Sequence, residues 1–204
     1  MRPRSRRGAF VVLVGPDGVG KTSIARELLS SHGGCTGYVH FRPPILRPLS
    51  PSPEPGQARP TEKRRQVGRK PIGILRLLLS VLAFGAGYLT RVLPAIRRGC
   101  LVVGDRWSYG YIVQPVSLGF FGPEPLARLA LRLMPKPDLL VALEAPVEVI
   151  RERKQELTED EILAEMRLAR ALTSPSPLVV DASDEASTVA DLILAALGMR
   201  RGGV

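Results

Sequence analysis

Three short stretches of the chain carry side chains whose type and spacing could do chemistry. The first is GPDGVGKT, residues 15–22, which directly follows the apolar run AFVVLV. It fits G-x-x-x-x-G-K-[ST] at every fixed position: Gly15, Gly20, Lys21 and Thr22. Glycines let successive backbone N–H groups turn inward around phosphate oxygens, and a helix that opens on the loop adds its partial positive charge. In such a cradle Gly15, Asp17, Gly18, Val19, Gly20, Lys21, Thr22 and Ser23 line ATP. Lys21 neutralises the outer phosphates, and the Thr22 hydroxyl holds Mg²⁺. A chance glycine-rich turn is the blander alternative, disfavoured by a strand before the loop and a helix after it.

The second stretch is LVVGDRW, residues 101–107. A hydrophobic strand ending in aspartate delivers a carboxylate to the sheet edge beside the loop, so Asp105 suits a Mg²⁺ partner. Arg106 can clamp an anion with two parallel hydrogen bonds. The third is LEAPVEVIRERK, residues 143–154, where a strand is followed by a helix carrying Arg151, Arg153 and Lys154. Phosphoryl transfer spreads negative charge over the γ-phosphoryl oxygens, and cations above that group stabilise the transition state. Lys21, Asp105, Arg106, Arg151 and Arg153 are therefore the catalytic candidates. A solvated helix face remains the alternative for the last two.

The elements that must position these residues alternate strand with helix, which predicts an α/β chain with a five-stranded parallel sheet and helices on both faces. Strands are expected at Phe10–Val14, Gly37–Phe41, Leu101–Asp105, Asp138–Leu143 and Leu178–Val180. Helices are expected from Ser23, over Ile72–Arg98 with a kink near Gly85, Gly87 and Pro94, over Pro123–Met134, from Pro146, and over Ala186–Leu197. Thr158 and Glu161 have capping-box spacing and open another. A basic tail, residues 1–8, precedes the first strand. A long proline-rich basic loop, 42–71, follows the second. A short lid is expected at about 151–160. The whole of 1–204 reads as one domain.

The net charge of +10 favours anionic partners without choosing among them. Cys35 and Cys100 form no metal-ligand spacing, so no disulfide framework is expected, and a reducing, cytoplasmic setting is the default. The uncharged run Leu77–Thr90 is shorter than the roughly 20 residues that span a bilayer, which favours a core or partly buried helix over membrane contact.

With these stretches placed, the chain resembles the thymidylate kinase family of P-loop kinases. GPDGVGKT matches that family's phosphate loop, aspartate included. GDRW looks like its Asp-Arg-Tyr/His motif, and KPDLLVALEAPVEVIRER is similar to the strand and helix leading into its lid. The resemblance implies a P-loop kinase fold, transfer from ATP-Mg²⁺ to a nucleoside monophosphate such as dTMP, and a homodimer. It also implies that Asp17, Arg42, Tyr88 and Arg106 surround the acceptor, with Asp17 on a sugar hydroxyl. The departures gather at the acceptor side. Phe41-Arg42-Pro43-Pro44 stands where the family has Arg-Glu-Pro-Gly, and FGAGYLTRV displaces an expected arginine to Arg91. Two alternatives stay open: a kinase of the same fold acting on a nucleoside, sugar or membrane-linked precursor, and a non-catalytic NTP-dependent nucleic-acid binder. Nucleic acid is the less expected partner, because a mere binder does not need Lys21, Asp105, Arg106 and Arg153 at one edge.

Overall fold

The computed structural model describes residues 8–40, 70–105, 107–115, 118, 120, 122–154, 157–173 and 175–199. The tail 1–7, most of the proline-rich loop, and with them Arg42 and Arg106, lie outside the described residues.

Strand β1, Ala9–Val14, is buried along its whole length. Its side chains alternate between two cores. Phe10, Val12 and Val14 join one, and Ala9, Val11 and Leu13 join the other. A strand apolar at every position is what a parallel sheet covered on both faces requires at its centre. Around it stand β2 (Thr36–His40), β3 (Leu101–Asp105), β4 (Leu139–Glu144) and β5 (Leu178–Asp181), in the order β2-β3-β1-β4-β5. Every pairing is parallel.

Helices α1 (Lys21–Ser31) and α8 (Ala186–Ala196) lie against each other and close one core with Ile24, Leu28, Val189 and Ile193. On the other face, α2 (Lys70–Gly87), α4 (Gly110–Val113) and α5 (Glu124–Leu133) supply Leu77, Phe84, Tyr111 and Ala127. Trp107 is the hub there, with its ring edge-on to Phe10 at 5.2 Å and to Phe84 at 5.1 Å. Helices α6 (Val147–Arg153) and α7 (Glu159–Arg170) follow β4. The Thr158–Glu161 capping box forms as its spacing predicts, with each residue's side chain satisfying the other's backbone N–H.

The chain leaving β1 turns toward β2, whereas the chain leaving β4 turns toward β5. Adjacent strands whose connections diverge leave a crevice at their C-terminal ends, and ligands of such sheets bind there. The loop 15–20 follows β1 there, and the C-terminal end of α6 meets it.

Several expectations shift. Helix α2 begins at Lys70, with Pro71 in its first turn, where a missing N–H costs nothing. The kink expected near Gly85, Gly87 and Pro94 is a π-helical turn, Tyr88–Val92, that leads into α3 (Leu93–Arg97). Helix α4 is too short to show a period in the sequence. Gly8 belongs to the fold rather than the tail. A Cβ there would lie 2.5 Å from the carbonyl oxygens of Ile96 and Cys100. The expectation for the cysteines is corrected: Cys35 and Cys100 are joined by a disulfide. They immediately precede β2 and β3, whose register pairs Thr36 with Leu101. Parallel neighbours starting level bring the two residues side by side, with Cα atoms 4.4 Å apart.

Candidate functional site

The loop after β1 takes its shape from three glycines with positive φ: Gly15 (148°), Gly18 (96°) and Gly20 (106°). A Cβ on Gly15 would sit 2.5 Å from the Leu143 carbonyl oxygen at the end of β4, so side chains are excluded by space as well as by backbone angle. Val19 is fully buried in the core beneath α1. Its side chain anchors the loop, and its backbone N–H donates to the Pro16 carbonyl at 3.3 Å.

Gly20 is the N-cap of α1, and no side chain caps that end. The first turn holds no acidic residue. It opens on Lys21 instead, a cation at the positive end of a helix, which is unfavourable by itself. The Lys21 ammonium folds back over the loop, donating to the carbonyls of Gly15 (2.8 Å) and Pro16 (2.9 Å) and to the Asp17 carboxylate (3.3 Å). Thr22 and Ser23 follow in the same turn and are exposed. Uncapped N–H groups and a lysine at one helix end form an arrangement that an anion completes.

Helix α6 brings its C-terminal end onto this loop. Arg153 Nη1 lies 3.5 Å from the Val19 carbonyl oxygen and beside Gly20. Lys154 Nζ is 3.7 Å from the Asp17 carboxylate. Asp17 thus sits between two ammonium groups. Arg151 is exposed on α6 and makes no hydrogen bond or ion pair to the loop among the described residues. Of the region expected as a lid, residues 151–153 close α6 and 159–160 open α7, while Lys154, Leu157 and Thr158 between them are not helical.

Asp105 ends β3 and is buried. One carboxylate oxygen accepts from the Tyr38 hydroxyl at 3.1 Å and lies 3.3 Å from His40 Nδ1. The other has no hydrogen-bond partner among the described residues although it is buried. A buried, unpartnered carboxylate oxygen is costly unless a ligand meets it. With the Thr22 hydroxyl it makes a donor set that fits Mg²⁺, which binds through one or two protein oxygens, substrate phosphates and water. No group of three or more His, Cys, Asp or Glu able to hold a metal occurs among the described residues. Such an ion would therefore take its remaining ligands from a bound phosphate and water.

Tyr88, on the π-helical turn, packs its ring against Phe10 at 6.0 Å and Trp107 at 6.4 Å. It is half-buried in this aromatic cluster.

Sequence reasoning missed three residues. Tyr38 and His40 occupy alternate positions of β2, so both reach the same face, and His40 pairs in register with Asp105. Alternation in TGYVH carried that signal. The third is Glu165, which accepts from Gln114 Nε2 at 2.8 Å. It lies three residues after buried Ile162 and four before buried Ala169, hence on the inward side of α7. Burial pushes its carboxyl up to about 7; Asp17 adds to that rise, whereas the Gln114 hydrogen bond and Lys21 oppose it.

Folded Glu165 holds its proton more tightly than the unfolded chain does, so its contribution favours the fold most below its ordinary value of 4.5. That contribution is lost as pH rises through about 7. Glu165→Gln, which keeps the pairing with Gln114, is expected to flatten the stability profile over this window. At pH 8 it should raise stability by up to about 3 kcal/mol, less whatever solvent screens at a half-buried carboxyl. Urea melts at pH 5 and pH 8 measure it; identical pH dependence in both proteins would contradict the assignment.

No protein-family model matches the chain. Among solved structures it is similar to the thymidylate kinase of Candida albicans, an enzyme described as having broad substrate specificity and a novel structural element. The TM-score is 0.59 and the identity 18%, with 94% of this chain and 92% of that chain covered. At this identity the likeness concerns architecture, and the chain has the α/β fold of a P-loop kinase, with a five-stranded all-parallel sheet flanked by helices.

Proposed function

We propose that this chain is an ATP-dependent phosphotransferase that moves the γ-phosphoryl group of ATP to a small acceptor, in the first instance a nucleoside monophosphate of the dTMP kind. The observation that carries the reading is the first turn of α1. It is uncapped, free of acid and headed by Lys21, with Arg153 and Lys154 at the end of α6 brought onto the loop that precedes it.

In this reading the loop N–H groups and Lys21 bind the β- and γ-phosphates. The bond between the γ-phosphorus and the β,γ-bridging oxygen breaks, and a new bond forms to an acceptor oxygen. ADP leaves with the electron pair. Lys21 and Arg153 stabilise the charge that grows on the transferring group, because their cations are already in place when it forms. Mg²⁺ held by Thr22 and Asp105 would supply further charge neutralisation between the phosphates. Asp17 turns from its ammonium partners to an acceptor hydroxyl, and Tyr88 walls the acceptor side. A phosphate acceptor is anionic at neutral pH and needs positioning more than a base.

A hydroxyl acceptor is the second reading, favoured by Glu165. Such an acceptor must give up a proton as the new bond forms, and a carboxyl with a pKa near the working pH is suited to take it. Assay of ADP release with ATP-Mg²⁺ and a panel of dTMP, dUMP, nucleosides and sugars separates the two. Turnover with monophosphates alone is the expected result. Turnover with hydroxyl acceptors alone replaces the first reading by the second, and no turnover with any acceptor refutes both.

A further inference from the structure

Helix α2 and its continuation are apolar on the side that faces the core and equally apolar on the side that faces out. Leu77, Phe84 and Val92 are buried against the sheet. Leu75, Leu78, Leu79, Leu82 and Leu89 are exposed, Leu82 to 70%. Their spacing of three, four, seven and fourteen residues from Leu75 aligns them in one stripe along the helix. Beside it packs α5, which exposes Leu129 and Leu133 together with Arg132 and with Arg128, the latter paired with Glu124. Scattered exposed leucines are ordinary, but a row of five next to two more marks a surface that meets an apolar partner.

The charges around the stripe indicate what that partner is. From Gly73 to Gly104 the chain contains Arg76, Arg91, Arg97 and Arg98 and no aspartate or glutamate. An isologous pairing of this face would bring two basic surfaces together, and the acid on α5, Glu124, is already paired with Arg128. An anionic lipid surface answers both features: acyl chains take the leucines, and headgroups take the arginines. The helical stretch Gly73–Arg97, 25 residues, is long and apolar enough to cross a bilayer by length and composition. Its buried face and the Tyr111 hydroxyl donating to Ser80 at 2.6 Å tie it to the rest of the fold. Held in this way, it has only its outer face to offer an apolar partner.

We propose that the outer face of α2 docks this protein onto anionic phospholipid membranes as a peripheral protein. The test is co-sedimentation of the full chain with phosphatidylglycerol-containing or pure phosphatidylcholine vesicles at low and high salt, with light scattering of the protein alone. Binding is expected to the anionic vesicles, to weaken with salt, and to fall at least about tenfold in Leu78→Gln/Leu82→Gln, whose side chains are replaced in the exposed stripe. Leu82→Gln alone should fall partway, and an unchanged urea melt shows that both variants are folded. The proposal is overturned by absence of vesicle binding. Undiminished binding of the folded double variant also overturns it, because basic segments elsewhere would then be responsible. So does a wild-type dimer that the double variant converts to monomer, which would assign the face to a second copy of this chain.

Discussion

Lys21→Ala is expected to lower phosphoryl transfer by roughly 10²–10³-fold, the loss typical of removing one preorganised charge from a transition-state site. The fold should survive. Among the described residues its hydrogen bonds go to the loop itself, to the carbonyls of Gly15 and Pro16 and to Asp17. Asp17 retains Lys154 as a partner. Removing a cation from the N-terminal turn of α1 also relieves an unfavourable interaction with the helix dipole, worth about 0.3–1 kcal/mol, which offsets part of what the lost contacts contributed. The measurement is ADP release alongside a urea melt. An inactive protein with a near-wild-type melt supports the assignment; a variant with full activity would sink it, whatever its stability.

The parts legible in the sequence were those whose physics is local. β1 is a continuous apolar run because it is buried on both faces, and the loop after it carries glycines where φ is positive. The capping box at Thr158 needs only residues three apart. What stayed hidden depends on strand order. Asp105 could be placed at the sheet edge from LVVGD, but its partners Tyr38 and His40 come from β2, 67 and 65 residues earlier. Glu165 is one acid among several on α7, and only the packing of α7 beside α4 and the loop separates it from its exposed neighbours. The helix at Leu77–Thr90 was legible as partly buried, yet its composition could not say which side faces out. Arg42 and Arg106, the two arginines expected at the acceptor, lie outside the described residues, so the acceptor side proposed above rests on Asp17, Tyr88 and Glu165.

The cysteine pair shows the same dependence on strand order and has the second large expected effect. Cys35 and Cys100 are 65 residues apart, and only the level start of β2 and β3 brings them together. Closing a loop of that length removes conformational freedom from the unfolded chain, which on the chain-entropy account stabilises the fold by about 4 kcal/mol. Reduction, or the double substitution Cys35→Ser/Cys100→Ser, is therefore expected to lower the melting temperature by about 10 °C. Reductant should have no further effect on the double variant. The cross-link lies at the N-terminal ends of the strands, whereas the phosphate loop and Asp105 lie at the C-terminal ends. Loss of the bond should consequently leave ATP binding unchanged at temperatures well below the melt, the converse of the outcome for Lys21→Ala. A wild-type melt indifferent to reductant would show that the bond does not stabilise the fold, and a loss of ATP binding in the cold would show that the two ends of the sheet are not independent.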